Sequence, residues 1–88
     1  DRFWYGLGDG HDTIQNGSSA DSVYLYNINT IDAVQFSLQD TTLSLTTAGG
    51  DTLSIQKWSP SAMNTFQIAN NTKYTLSLSD GNLISSRI

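Results

Sequence analysis

A nine-residue repeat near the amino end places the strongest constraint on how this chain can fold. Residues 5–14 and 16–24 share one pattern, in which glycine is followed by aspartate and then by an aliphatic residue. The equivalent positions, nine residues apart, are Gly8 and Gly17, Asp12 and Asp21, and Ile14 and Val23. A repeat this short predicts a parallel coil, in which every repeat contributes one short strand and one loop.

The first loop has the composition of a cation-binding loop. Its alternate glycines let backbone carbonyl groups turn inward, because glycine adopts conformations that a Cβ would forbid. Asp12 supplies a carboxylate at the end of this loop, and Asp21 occupies the equivalent position in the second repeat. Asp9 offers a carboxylate, a carbonyl or neither. Calcium binds six to eight oxygen ligands of these kinds. The residues predicted to bind the metal are Gly8, Asp9, Gly10, Asp12 and Asp21.

These residues also have a purely structural interpretation. Asp12 and Asp21 can equally be turn residues whose side chains hydrogen-bond to nearby backbone groups. His11 is the only histidine, and a single imidazole cannot form a histidine-cluster zinc site. Asp51 and Asp80 are interpreted as hairpin-turn residues, because each lies beside glycine between two apolar stretches.

Residues 5–24 resemble the repeats-in-toxin (haemolysin-type) calcium-binding nonapeptides. Residues 50–58 and 79–81 are similar to the β-rich segment that often follows such repeats. The resemblance implies a terminal piece of a parallel β-roll with about two coils, capped by antiparallel hairpins. It also implies calcium as cofactor, adjacent repeats and the type I secretion machinery as partners, and a secreted bacterial parent protein. We expect this chain to be a piece of that longer protein.

In such a roll, loops contact each other across two repeats, so residues 7–12 are expected to face residues 25–30. Asn27, Asn29 and Thr30 offer neutral oxygens there but no carboxylate. The predicted calcium sites are therefore incomplete in this chain, and we expect affinity in the weak range of extracellular modules.

The chain after residue 25 alternates apolar with polar residues, which predicts strands with one buried face. The expected buried positions are Val34, Phe36, Leu38, Leu43, Leu45, Leu53, Ile55, Phe66, Ile68, Tyr74, Leu76 and Leu78. Turn residues at 48–51, 70–72 and 80–81 predict hairpins, and residues 59–63 predict one short helical turn. The fold class is all-β, with repeats at 1–26 and a capping segment at 27–88.

Charge and residue usage exclude several functions. The net charge is −4, all eight acidic residues are aspartate, and there is no cysteine. The four cations are scattered, so nucleic acid is not an expected partner. No apolar run is long enough to span a membrane. The chain has one histidine, no cysteine, no glutamate and no clustered aspartates outside the repeat. This leaves no positioned acid, base or nucleophile for an active site, so we expect no enzyme activity.

Two functions remain. The first is a non-catalytic module for calcium-dependent folding and secretion of a toxin, exoenzyme or adhesin. The second is an extracellular carbohydrate-binding or adhesion module, for which Trp4 and Trp58 are either stacking surfaces or core residues. The acidic balance of the chain argues against an anionic glycan.

Overall fold

The computed structural model describes residues 2–15, 21–61 and 64–88, and these form two β-sheets that enclose one core. The described residues contain nine strands and a single 3₁₀ turn. The strands are β1 (Arg2–Tyr5), β2 (His11–Ile14), β3 (Ser22–Leu25), β4 (Val34–Gln39), β5 (Thr42–Thr47), β6 (Thr52–Ile55), β7 (Thr65–Ile68), β8 (Lys73–Ser79) and β9 (Asn82–Arg87). The all-β prediction is therefore confirmed.

The amino-terminal strands alternate between the two sheets and pair in parallel. One sheet has the order β1-β3-β7-β8-β9, and the other has the order β2-β6-β5-β4. β3 pairs in parallel with β1 on one side and with β7 on the other, and β2 pairs in parallel with β6. Parallel neighbours need a crossover connection. The connection from β1 to β3 runs through β2 in the opposite sheet, so the chain follows a spiral path.

The remaining pairs are antiparallel and extend each sheet on one side. β4, β5 and β6 form a meander in the four-stranded sheet. β7, β8 and β9 form the equivalent meander in the five-stranded sheet. Each sheet therefore combines strands from residues 2–25 with strands from later in the chain, and the two segments share one hydrophobic core.

The core lies between the sheets and follows the predicted alternation. In β3, β5, β6 and β7 every second residue is buried, which matches the period of two of side chains along a strand. Phe36 and Phe66 meet edge to face across the core, with ring centroids 5.3 Å apart. The buried apolar residues are Tyr5, Val23, Leu25, Ile28, Val34, Leu43, Leu45, Leu53, Ile55, Trp58, Phe66, Ile68 and Leu76.

One expected buried position was wrong, and the expected helical turn at residues 59–63 lies partly outside the described residues. Leu78 was expected to be buried with Leu76, but its side chain is 40% exposed because the β8–β9 hairpin extends beyond the core. The 3₁₀ turn occurs at Ile31–Ala33, where the hydroxyl of Thr30 accepts from the Asp32 N–H at 3.4 Å. In the predicted helical segment, Ser59 forms a bridge and residues 60–61 a turn, while Ala62 and Met63 lie outside the described residues.

The hairpin turns were located correctly, and one further turn was not anticipated. Asp80 and Gly81 have φ values of 51° and 81°, the two consecutive positive φ angles of a tight two-residue hairpin turn. Asp40, with φ 56°, begins the turn between β4 and β5, where the sequence contains no glycine. Aspartate tolerates this left-handed conformation better than most residues.

The edge where β1 and β2 lie is open between the sheets. A cavity of about 490 Å³ there is lined by β1, β2 and Leu53, including the partly buried side chains of Phe3 and Ile14. Within the described ranges no helix is long and apolar enough to cross a membrane.

Candidate metal centre

The connection between β1 and β2, residues 6–10, is a loop closed by its own hydrogen bonds. The Asp9 N–H donates to the Gly6 carbonyl at 3.2 Å, and the Gly6 N–H donates to the Asp9 carboxylate at 3.0 Å. Gly8 and Gly10 have φ values of 88° and 78°. This left-handed backbone is strained for residues with a Cβ, which explains why glycine recurs in the loop. The buried Tyr5 anchors the loop by donating its hydroxyl to the Gly10 carbonyl at 2.6 Å.

The loop faces the segment that follows β3, within the expected residues 25–30, but β1 and β3 pair at an offset of 20 residues, with Tyr5 opposite Leu25, instead of the 18 of two nine-residue repeats. The Leu7 N–H donates to Asn27 Oδ1 at 2.8 Å, and Asn27 Nδ2 donates back to the Leu7 carbonyl at 3.1 Å. Tyr26 donates its hydroxyl to the two oxygens of Asp9, at 2.8 and 2.9 Å. A Cβ on Gly6 would overlap the Asn27 side chain, so the close approach of these two segments requires glycine at position 6.

A second carboxylate at this loop is Asp51, which precedes β6. Its Oδ2 accepts from the Gly8 N–H at 2.8 Å and from the Thr47 hydroxyl at 3.1 Å. Its Oδ1 accepts from the Gly10 N–H at 3.0 Å. We call this arrangement the amide clamp, meaning the Asp51 carboxylate held by the N–H groups of Gly8 and Gly10.

The amide clamp changes the acidity of Asp51. The N–H groups of Gly8 and Gly10 hold the pKa of its carboxyl below the ordinary value, because hydrogen bonds to the charged form favour that form. Desolvation opposes this shift, while the Thr47 hydroxyl and the charge of His11 add to it. Asp51 is therefore an ionised group that joins the loop at residues 6–10 to the turn before β6.

Asp51 was not predicted as a site residue. Its interpretation as a turn residue is correct, because Asp51 also closes the turn. Its own carbonyl accepts from the Thr47 N–H at 3.0 Å. The sequence did carry a signal, because Asp-Thr-aliphatic occurs at residues 12–14 and again at residues 51–53. The two copies are not opposite each other, since Asp12 pairs with Leu53 in the β2–β6 ladder. Sequence reasoning assigned the first copy to metal binding and the second to a turn.

The predicted metal residues lie in different parts of the fold. Asp9 is in the loop, and Asp12 is an exposed residue of β2. Asp21 is half-buried in the connection from β2 to β3, of which residues 16–20 lie outside the described ranges. Gly8 and Gly10 present N–H groups to Asp51, and the Gly10 carbonyl accepts from Tyr5.

Three carboxylates nevertheless act on Tyr5 through their charge. Burial, and then the negative charges of Asp51, Asp12 and Asp9, raise the pKa of Tyr5 to about 12. The ligand types suit calcium, but within residues 2–15, 21–61 and 64–88 no three carboxylate or histidine side chains are arranged to hold a metal ion.

The two tryptophans have opposite environments. Trp58 is buried, with an exposed fraction of 4%, whereas Trp4 on β1 is 63% exposed. Trp4 contacts Tyr24 edge to face at 4.8 Å between ring centroids, and it contacts Tyr26 at 5.9 Å. The side chain of Tyr26 thus connects this exposed aromatic surface to Asp9 in the loop.

In comparisons with known proteins, no family model, curated protein or solved structure matches the chain.

Proposed function

We propose that the chain is a non-catalytic module that couples calcium binding to folding at the end of a repeat array in a secreted bacterial protein. The amide clamp is the observation that carries this proposal. It joins the repeat loop at residues 6–10 to Asp51, which lies 41 residues from Gly10. A ligand that altered the charge at this junction would affect both the repeat segment and the strands that follow it.

The carboxylates whose charge acts on Tyr5 are the proposed calcium ligands. Asp9, Asp12 and Asp51 would supply negative oxygen ligands, and Asn27 would supply a neutral one. Without a cation, these like charges repel one another at the junction of the loops. A bound divalent cation would remove that repulsion, so metal binding and folding would be coupled.

The proposal also covers the binding partners of the chain and its location outside the cell. The resemblance to repeats-in-toxin proteins implies adjacent repeats, export by type I secretion machinery and folding outside the cell. Parallel pairing of β1 with β3 and of β2 with β6 supports the first of these, because a spiral path leaves β1 and β2 at the edge where another coil would add. Calcium is plentiful outside cells, which suits a site of low affinity.

Calcium titration of the 88-residue chain tests this proposal. We expect calcium, and not magnesium, to raise the melting temperature measured by circular dichroism, with a dissociation constant on the order of 10⁻⁴ to 10⁻³ M. Asp12→Asn and Asp51→Asn should reduce the calcium-induced increase. Asp80→Asn is the matched control, because it removes one carboxylate from the β8–β9 turn and not from the proposed site.

Two results would reject the proposal. One is a melting temperature that does not change with calcium up to about 10 mM, which is well above the range of weak extracellular sites. The other is an equal loss of the calcium response in Asp80→Asn and Asp51→Asn, since that would indicate general screening of an acidic protein instead of a site.

A second candidate function, extracellular carbohydrate binding, is favoured by the exposure of Trp4. A 63% exposed indole in contact with two tyrosine rings is a surface on which a sugar ring could stack. The burial of Trp58 removes that residue from the candidate surface. Binding of soluble oligosaccharides, measured by calorimetry in the presence and absence of calcium, tests this function separately from the first.

A further inference from the structure

We propose that Trp4, Tyr24 and Tyr26 form a binding platform for a neutral pyranose sugar, with Arg2 and Asp9 as the polar groups at its rim. We call these three rings the aromatic platform. The inference rests on the carbohydrate-binding function proposed above and specifies its site and its class of sugar.

The aromatic platform lies on the outer face of the five-stranded sheet. Trp4 on β1 is directly opposite Tyr24 on β3. Their sequence neighbours Tyr5, Val23 and Leu25 are buried, so the platform side chains point away from the core. A cross-strand aromatic pair stabilises a sheet on either face. Sheet stability alone therefore does not require the indole of Trp4 to be exposed.

The rings are held in place by contacts within the platform. Trp4 and Tyr24 meet at an interplanar angle of 86°, and Trp4 and Tyr26 meet at 35°. The hydroxyl of Tyr26 is fixed by Asp9. Rings already held in one orientation lose little conformational entropy when a ligand binds, so more of the contact energy contributes to affinity.

The rim carries one donor group and one acceptor group. The Arg2 guanidinium lies over the Tyr24 ring, 4.1 Å from its centroid, and 5.7 Å from the centroid of Trp4. It covers one face of Tyr24 and leaves the exposed indole of Trp4 as the main stacking surface, while its N–H groups remain hydrogen-bond donors. The Asp9 carboxylate is an exposed acceptor beside Tyr26. A pyranose has an apolar face of C–H groups and hydroxyls that both donate and accept, so it can use the rings, the donor and the acceptor together.

The charges at the rim favour a neutral sugar. One guanidinium is accompanied by one carboxylate, and the chain as a whole has a net charge of −4. A sugar acid would gain one ion pair with Arg2 while its carboxylate would be repelled by Asp9 and by the overall charge. Nucleic acid is disfavoured for the same reason, because binding to phosphates requires several cations.

Calorimetric titration of the intact chain with defined hexasaccharides tests the inference. The neutral probes are cellohexaose, laminarihexaose and mannohexaose, and the acidic probe is a hexamer of galacturonic acid. We expect saturable binding of at least one neutral probe and weaker binding of the acidic one. Trp4→Ala should weaken binding about tenfold or more, as removal of a central aromatic contact does. Leu78→Ala, which removes another exposed apolar side chain, should leave it unchanged.

Circular dichroism of each variant establishes that it is folded. If Trp4→Ala does not fold, Trp4→Phe and Arg2→Ala replace it, and both are expected to weaken binding of the neutral probe. Wild-type affinity in these variants would overturn the platform while leaving carbohydrate binding in place. Absence of binding by every neutral probe would overturn both, and tighter binding of the acidic probe would overturn the assignment of a neutral sugar.

Discussion

The carboxylate of Asp51 accepts the N–H of Gly10 at 3.0 Å across 41 residues of sequence. This bond joins a glycine loop between two parallel strands to a turn between two antiparallel strands. The loop presents N–H groups to an anion here, whereas the sequence pattern was interpreted as presenting carbonyl groups to a cation. In the amide clamp, the loop at residues 6–10 is therefore bound by a side chain of the same chain, Asp51.

Acid should weaken the amide clamp. Because the folded-state pKa of Asp51 lies below its value in the unfolded chain, the stability from this group is present above the unfolded value of about 3.9. It is lost as the pH falls through the folded-state pKa. Asp51→Asn should therefore melt at a lower temperature than wild type at pH 7, with a smaller difference near pH 2. Melting curves from pH 2 to 7 measure this, and a constant difference over that range would contradict it.

Gly8 should not tolerate a side chain, even though a Cβ would meet no atom within 4 Å. Its φ of 88° is the obstacle, and forcing alanine into such a conformation costs about 1–3 kcal/mol. Gly8→Ala should lower the free energy of unfolding by that amount in urea titrations. Gly49→Ala is the control, because that residue does not need a positive φ. Equal effects of the two substitutions would contradict the explanation from backbone strain.

Tyr5 should titrate abnormally. Its pKa is raised from 10.0 to about 12, first by burial and then by neighbouring carboxylates. Since the folded state holds this proton more tightly than the unfolded state, stability is unaffected below pH 10 and falls as the pH rises from 10 towards 12. Difference absorbance of wild type and Tyr5→Phe isolates the titration of this tyrosine. A midpoint near pH 10 for the folded chain would show that the hydroxyl is not shielded.

Leu45 should be among the residues most sensitive to truncation. It is fully buried on β5 between the sheets, so Leu45→Ala should reduce the free energy of unfolding by about 2–5 kcal/mol. Leu78→Ala, on the exposed end of β8, should change it by about 0.5 kcal/mol or less. Chemical denaturation of the three proteins tests this, and similar losses in both variants would indicate that the β8–β9 hairpin is packed against other residues.

Much of the fold could be predicted from local patterns. Alternation of apolar and polar residues located β4 to β8 and most of their buried positions, because side chains alternate along a strand. Strand β9 was predicted only through the hairpin turn at residues 80–81, since its own residues Asn82–Arg87 are mostly polar and exposed and it is held by pairing with β8. Local pattern also could not show that Leu78 lies beyond the core, because that depends on how far the opposite sheet extends.

The candidate site was predictable only in part. The expectation that residues 7–12 face residues 25–30 agrees with the contact between Leu7 and Asn27. The nine-residue spacing gave the wrong register, because Tyr5 lies opposite Leu25 and not opposite Val23. It could not indicate Asp51, whose approach depends on the β4–β5 hairpin inserted between β3 and β6. Nor could it reveal that Trp4 and Trp58 have opposite exposures, since both are aromatic residues beside strands. The position of Asp51 and the exposures of the two tryptophans depend on residues far apart in the sequence, whereas a short repeat predicts only contacts between its own copies.

The open edge formed by β1 and β2 is where the spiral part of the fold is exposed to a further coil. Among the described strands, both edge strands at that side run in the sense of the spiral and present unpaired backbone groups beside a hollow of about 490 Å³. At the opposite side, β4 and β9 are each separated by two reversals of the chain from β6 and β7, so they run in the same direction as β6 and β7. Strand direction is therefore the same at both sides of the unit, and what distinguishes them is the connection: spiral crossovers at β1 and β2, hairpins at β4 and β9.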